Sequence, residues 1–157
     1  MSVVVLPVLG GGGWSPFGAA FPANQNDGDN GTYMGFPGNA SGSNDCTFDT
    51  TGIPNGAQIS DVSVSGFWGA GSAPATAAFQ AILPPNSLSL GVVGDVASYG
   101  FSIPRPGGGI WTKGDVALLT VRVTSLATGN GNLVRLKSMA LTVTYTVGGT
   151  FILAMHH

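Results

Sequence analysis

Between Met139 and Val147 the chain alternates without a break. Met139, Leu141, Val143, Tyr145 and Val147 fall on one side, and Ala140, Thr142, Thr144 and Thr146 on the other. A sustained period of two, rich in β-branched side chains, predicts a strand with one buried face and is incompatible with an amphipathic helix, whose stripe needs a period of 3.6. The segment upstream repeats the pattern, with Ala117, Leu119, Val121 and Val123 expected inward and Thr120, Arg122 and Thr124 outward. Between the two, TSLATGNGN supplies turn residues, so the strands either pair or lie in opposed sheets.

Other segments follow the same rule. Val62 and Val64 alternate with Asp61, Ser63 and Ser65 behind the turn Gly52-Ile53-Pro54-Asn55-Gly56, while Ile59 is out of phase, which a bulge or the start of the strand explains. Residues 75–83 offer Ala77, Phe79, Ala81 and Leu83 to one face, 87–93 offer Leu88, Leu90 and Val92, and 97–103 offer Tyr99, Phe101 and Ile103. No segment joins a 3.6-residue apolar period to helix formers and caps, and WTKGDVALL is expected to form one helical turn at most. About eight or nine strands at even spacing imply an all-β fold, a single antiparallel β-sandwich of jelly-roll type.

Composition agrees. Charged residues make up 8 % of the chain, all seven acidic residues are Asp, and Glu is absent, so the usual dressing of a helix surface is missing. The net charge is −2, and the five basic residues, Arg105, Lys113, Arg122, Arg135 and Lys137, are scattered. They form no footprint for a phosphate backbone, so nucleic acid is not an expected partner. The single Cys46 allows no intrachain disulfide, and its place in an alternating Cys-Thr-Phe-Asp run reads as a buried small hydrophobe.

The chain divides into an apolar arm with a glycine hinge, residues 1–13, and a sandwich domain, 14–157, that ends in an added strand, GTFILAM. The arm has neither the basic n-region nor the cleavage site of a signal peptide and is too short to span a bilayer, so no membrane is expected. VVVLPVL and TFILAM combine high β propensity with almost no charge. As bare edges they would aggregate, which predicts that other protein covers them, by strand addition to a neighbouring subunit or within the chain's own sandwich. The residues expected at such an interface are Val3, Val4, Val5, Leu6, Phe151, Ile152 and Leu153, with Trp14 as an anchor just past the glycines. His156-His157 is either native or the remnant of an affinity tag and is assigned no function.

NDGDNGTY, residues 26–33, gathers carboxylates, carboxamides and glycines. Calcium would want several oxygens from such a loop, but counted from Asp27 the fifth position is Gly31 and the twelfth is Gly38, where a bidentate Glu belongs. A turn leading into the Thr32-Tyr33 strand explains the same residues, so no metal or cofactor is expected. Catalysis is not expected either: the two histidines are the last two residues, and the Asp residues sit mostly in Gly/Asn-rich turns. Trp68 is in phase with Val62 and Val64 and belongs to the core. Trp111, with Asp27, Asp29 and Asn30, forms a candidate ligand loop, because an aromatic face beside Asp and Asn suits a saccharide, although Trp111 could equally plug the end of the sandwich.

Four segments in order, FPANQNDGDNGTYMGF, CTFDTTGIPNGAQISDVSVSGFW, IWTKGDVALLTVRV and LVRLKSMALTVTY, resemble a β-sandwich module of structural proteins of tailed bacteriophages. The resemblance spans roughly residues 21–146. It rests on an acidic turn before a Thr-Tyr strand, an Ile-Pro-x-Gly-Ala-x-Ile-x-x-Val-x-Val run, a Trp-Thr segment leading into a strand, and a closing strand that ends in Tyr. It implies a non-enzymatic virion protein, either a head decoration or fibre subunit or a tail component. Such a subunit would form a homo-oligomer and dock on another virion protein. The alternative is a carbohydrate-binding, host-recognising module of a tail fibre or cell surface, whose partner is a host glycan.

Overall fold

Alternating segments bury one face each, and two such faces must close on one another; that requirement organises the molecule. The computed structural model describes residues 1–17, 23–26, 33–37, 41–70, 76–94, 97–126 and 133–148. Ten strands occur among them: β1 Ser2–Gly12, β2 Ser15–Phe17, β3 Tyr33–Pro37, β4 Gly42–Phe48, β5 Ala57–Ala70, β6 Thr76–Leu83, β7 Asn86–Gly94, β8 Ala97–Ser102, β9 Thr120–Leu126 and β10 Leu133–Val147. Two short helices, α1 Ala23–Asn26 and α2 Lys113–Leu118, are the other regular elements described. All pairings are antiparallel. The fold is an all-β sandwich, with more strands than the eight or nine expected.

The first layer is built on β10. Along one edge β10 pairs with β5, from Val134 opposite Ala70 to Val147 opposite Ala57, and β5 pairs in turn with β8. Along its other edge β10 pairs first with β3, which carries β2, and then with the start of β1. The second layer runs β1, β4, β9, β6, β7. Strand β1 belongs to both. Ser2–Pro7 pair with β10, and from Val8 to Gly12 the strand pairs with β4, with a register shift between Val8 and Gly10 where it changes layer. A bend of this kind is how a strand turns the corner of a sandwich.

Between the layers lie Val62, Val64 and Trp68 of β5, Ala77, Phe79 and Ala81 of β6, Val121 and Val123 of β9, and Met139, Leu141 and Val143 of β10, all buried. Each is a position the alternation assigns inward. Strands β9 and β10 occupy opposed layers, which decides between the two arrangements open to them. Ile59 is buried in phase with Val62 because the register with β10 slips at Ser60, whose hydroxyl donates to the Thr144 carbonyl at 3.2 Å; this is the expected bulge.

Four findings revise the expectations. Val147, the last residue of β10, is exposed rather than turned inward. Ala117 is exposed and belongs to α2, because Thr112 and Asp115 close a reciprocal capping box that starts a helix; Val116 takes the buried place, and the strand begins only at Thr120. Val92 faces solvent, because a register shift opposite Phe79/Gln80, with Gly91 at φ 148°, turns the end of β7 over. Residues 2–12 of the expected arm and glycine hinge form β1. Gly11 and Gly12 continue β1, at φ 117° and 128°, against Cys46 and Asp45. A Cβ on Gly11 would run into the Asp45 carbonyl and one on Gly13 into the Ser43 carbonyl, so the glycines let two backbones touch.

Candidate functional site

The residues expected at an interface separate by parity along β1. Val3 and Val5 point outward, 62 % and 60 % exposed, whereas Val4 packs partly against the core and Leu6 is buried within it. Leu6 therefore cannot anchor a partner. Trp14 is also committed inward, 5 % exposed, with its ring 5.8 Å from those of Phe36 and Trp68 and its backbone N–H donating to Asn44 Oδ1. The run of glycines at positive φ, Gly11 to Gly13, brings it back over its own sandwich, which is why it does not project as an anchor. Phe151, Ile152 and Leu153 lie outside the described residues.

Of the candidate ligand loop, Asp27, Asp29 and Asn30 lie outside the described residues as well. Trp111 is 6 % exposed and plugs the sandwich end: its Nε1 donates to the Ile103 carbonyl at 3.2 Å, and its backbone bridges to Ile59. A ring packed this way offers no open face for a sugar to stack on.

Trp111 does separate two grooves that the sequence reading missed. One, about 320 Å³, is lined by Ser60, Asp61, Ser102, Arg105 and Gly108; the other, about 520 Å³, by Gln58, Ser60, Ile110, Thr112 and Thr146. The chemistry of the first is already occupied. Arg105 grips Asp115 through Nε and Nη2, both at 3.1 Å, and donates through Nη1 to the Gly108 carbonyl. Asp115 also accepts from the Thr112 backbone and hydroxyl, both at 2.9 Å. The Arg105 hydrogen bond, with help from Thr112, holds the Asp115 carboxyl below the usual range. A carboxylate stabilised as the anion is a poor base, so the pair reads as a clasp that fixes the Gly107–Gly109 loop onto α2. The only sequence signal for it was Arg-Pro-Gly-Gly-Gly followed by a capping box.

The other charged and nucleophilic groups are similarly tied. Arg122 forks onto Asp45 at 2.7 and 2.8 Å. Cys46 is fully buried, and that burial pushes its thiol up to about 12, with Asp45 adding to the effect. No group of three or more His, Cys, Asp or Glu side chains gathers among the described residues in a way that could hold a metal ion. No helix among them is long and apolar enough to cross a membrane.

What stays unengaged is the outer face of the first layer. In successive rows Val3 lies beside Thr144 and Asp61; Val5 beside Thr142, Ser63 and Ser102; and Pro7 beside Ala140, Ser65 and Gly100. These are small, mostly uncharged side chains, and Asp61 is the one ionisable group in the three rows. A groove of about 320 Å³ lined by Val5, Pro7, Asn26, Ser65, Ser138 and Ala140 opens across it. The surface is otherwise β-prone at its margin and nearly neutral, a combination that suits contact with protein better than a charged ligand. No protein-family model matches the chain, and no curated protein matches its sequence.

Proposed function

We propose that the chain is a non-enzymatic structural subunit of a bacteriophage particle, a capsid decoration, head-fibre or tail component, that associates with copies of itself and docks on a larger virion protein. One observation carries the reading. The first charged side chain in the sequence is Asp27, and the strand that opens the chain, β1, turns Val3 and Val5 to solvent at a sheet margin with no charge to guard it. Edge strands of proteins that stay solitary are defended by Lys, Pro, bulges or a covering element. The stretch Ser2–Leu6 has none of the first three.

The polar groups support the same reading. The two Arg–Asp forks and the Thr112–Asp115 cap use side chains for holding loops and strands, and the buried Cys46 sulfur accepts from the Asn44 amide. A glycan-binding role would need an exposed aromatic face, and Trp111 is spent on the core. The subunit, carrying an affinity tag and expressed during phage growth, is expected to sediment with intact particles through a density gradient. Recovery solely as free protein at the top of the gradient rejects the virion assignment.

A further inference from the structure

The Ser2–Leu6 stretch has one partner strand and one open edge among the described residues. Ser2 to Pro7 pair with Tyr145 to Ala140 on one side, and no described strand lies along the other, where the turn after β4 brings Gly52 up to the side chains of Val4 and Leu6. Which backbone groups face the open side follows from two sets of hydrogen bonds. The Pro7 carbonyl accepts from Asp49 N at 3.0 Å, on the side away from β10. Val8 turns the opposite way: its N–H donates to Asn26 Oδ1 and its carbonyl accepts from Asn26 Nδ2, both at 2.9 Å. Backbone groups of a strand alternate in direction residue by residue. The even residues of β1 therefore address β10 or its stand-in Asn26, and the odd residues Val3 and Val5 aim their N–H and C=O groups outward from the open edge.

Resting on the structural-subunit reading above, we infer that this edge pairs antiparallel with the same edge of a second copy, about a two-fold axis passing beside Val4. The geometry is self-consistent. Pro7 has no N–H and its carbonyl is taken by Asp49, so the free stretch ends at Leu6 and is centred on Val4. With that centre, Val3 of one copy stands opposite Val5 of the other, and the reverse. Both are odd, so these are the hydrogen-bonded pairs, and all of their outward N–H and C=O groups find partners across the axis. The same register puts the exposed Val3 and Val5 side chains on one face as two cross-strand Val–Val pairs, while Val4 meets Val4 on the inner face. The contact is isologous, closes after two copies, and joins the first layers of both sandwiches into one continuous sheet. A neutral stretch raises no like-charge penalty when it meets itself. Asp49, at the Pro7 end with its carboxylate accepting from Thr51 N, stands outside the paired segment.

The test is sedimentation equilibrium of the full chain across a wide concentration range, with two double variants on outward side chains that the monomer fold does not use. Wild type is expected to be a dimer. V3K/V5K places lysine against lysine twice per dimer and is expected to raise the dissociation constant roughly 30-fold, from like charges replacing apolar pairs. V3K/V5D sets the new lysine of each copy against the new aspartate of the other, at both pairs, and is expected to recover most of that loss. Circular dichroism melting must show both variants folded. In the wild type, the Val3 and Val5 amides are expected to gain protection from hydrogen exchange as concentration rises. A wild-type chain that is monomeric throughout overturns the inference and the self-association reading together. An oligomer indifferent to V3K/V5K overturns the edge alone and leaves self-association standing. Dissociation by V3K/V5K without recovery in V3K/V5D overturns the antiparallel register.

Discussion

At the scale of single residues, Cys46 and Asp115 show how burial and hydrogen bonding set proton affinity in opposite directions. The Cys46 thiol ordinarily titrates near 9.0, and burial pushes it up to about 12. Its neutral form is therefore favoured by folding. That contribution is complete below about pH 9 and falls away as the pH rises toward about 12, because the unfolded chain loses the proton first. Tyr99, buried with its hydroxyl donating to the Ser138 carbonyl at 2.7 Å, is raised in the same direction, again by desolvation. Unfolding free energies from urea titrations between pH 8 and 11 should decline with a slope of up to about 1.4 kcal/mol per pH unit for each such group. Cys46→Ala should be shallower by about one proton, and the native thiol should resist aromatic disulfide reagents until the chain unfolds. Asp115 runs the other way. Its carboxyl is lowered, chiefly by Arg105, so its contribution is present above its ordinary value of 3.8 and is lost as the pH falls below that. Asp115→Asn removes the capping-box acceptor and half of the clasp, and thermal melts should show about 1 kcal/mol lost, roughly 2–4 °C.

At the scale of elements, the corner strand β1 and the central strand β10 carry the architecture by different means. Strand β10 is flanked on both edges and buries Leu136, Met139, Leu141 and Val143, so Leu141→Ala should cost about 3 kcal/mol, read as a lower denaturant midpoint with an unchanged slope. Strand β1 depends on glycine instead. Gly11 and Gly12 share a positive φ, but only Gly11 has a backbone carbonyl where a side chain would go. Gly12→Ala should therefore cost only the backbone strain, about 1 kcal/mol, while Gly11→Ala should be markedly worse because β4 must move away. Equal effects from the two substitutions would show that close approach to β4 is not what these glycines provide. The strands themselves were legible where alternation was long, as in Met139–Val143 and Ala77–Leu83. The period was lost at short range, at the capping box that turned Ala117 into helix and at the shift that turned Val92 outward. In both places a local hydrogen-bonding choice displaced a hydrophobic pattern of only a few residues.

At the scale of the whole molecule, near-absence of charge is the property with the widest consequence. With the Arg–Asp forks satisfied within the chain and Asp61 the one ionisable side chain in the outer rows beside β1, the proposed association at that edge would rest on backbone hydrogen bonds and apolar contact. Such contacts are hardly screened by ions. The sedimentation mass should accordingly stay constant between low and high sodium chloride, whereas an assembly held by charge would loosen as salt is added. The candidate surface was only half legible in advance. An uncharged, β-prone opening segment announced that something must cover it, but the sequence does not say which residues of that segment the chain keeps for its own core. Val3 and Val5 face out, and Leu6 and Trp14 do not.

By itself the sequence determined the class of fold, because side-chain periodicity and the lack of helix-surface residues are local properties that any strand-forming segment carries with it. It also determined the neutrality of the surface, which composition fixes however the chain folds. Only the tertiary structure decided that β9 and β10 face each other across the core, that the glycine run is a strand pressed against β4, and that Trp111 closes the sandwich end. Each of these depends on which distant backbone comes alongside, and pairing between strands far apart in the chain leaves no periodic trace in either one.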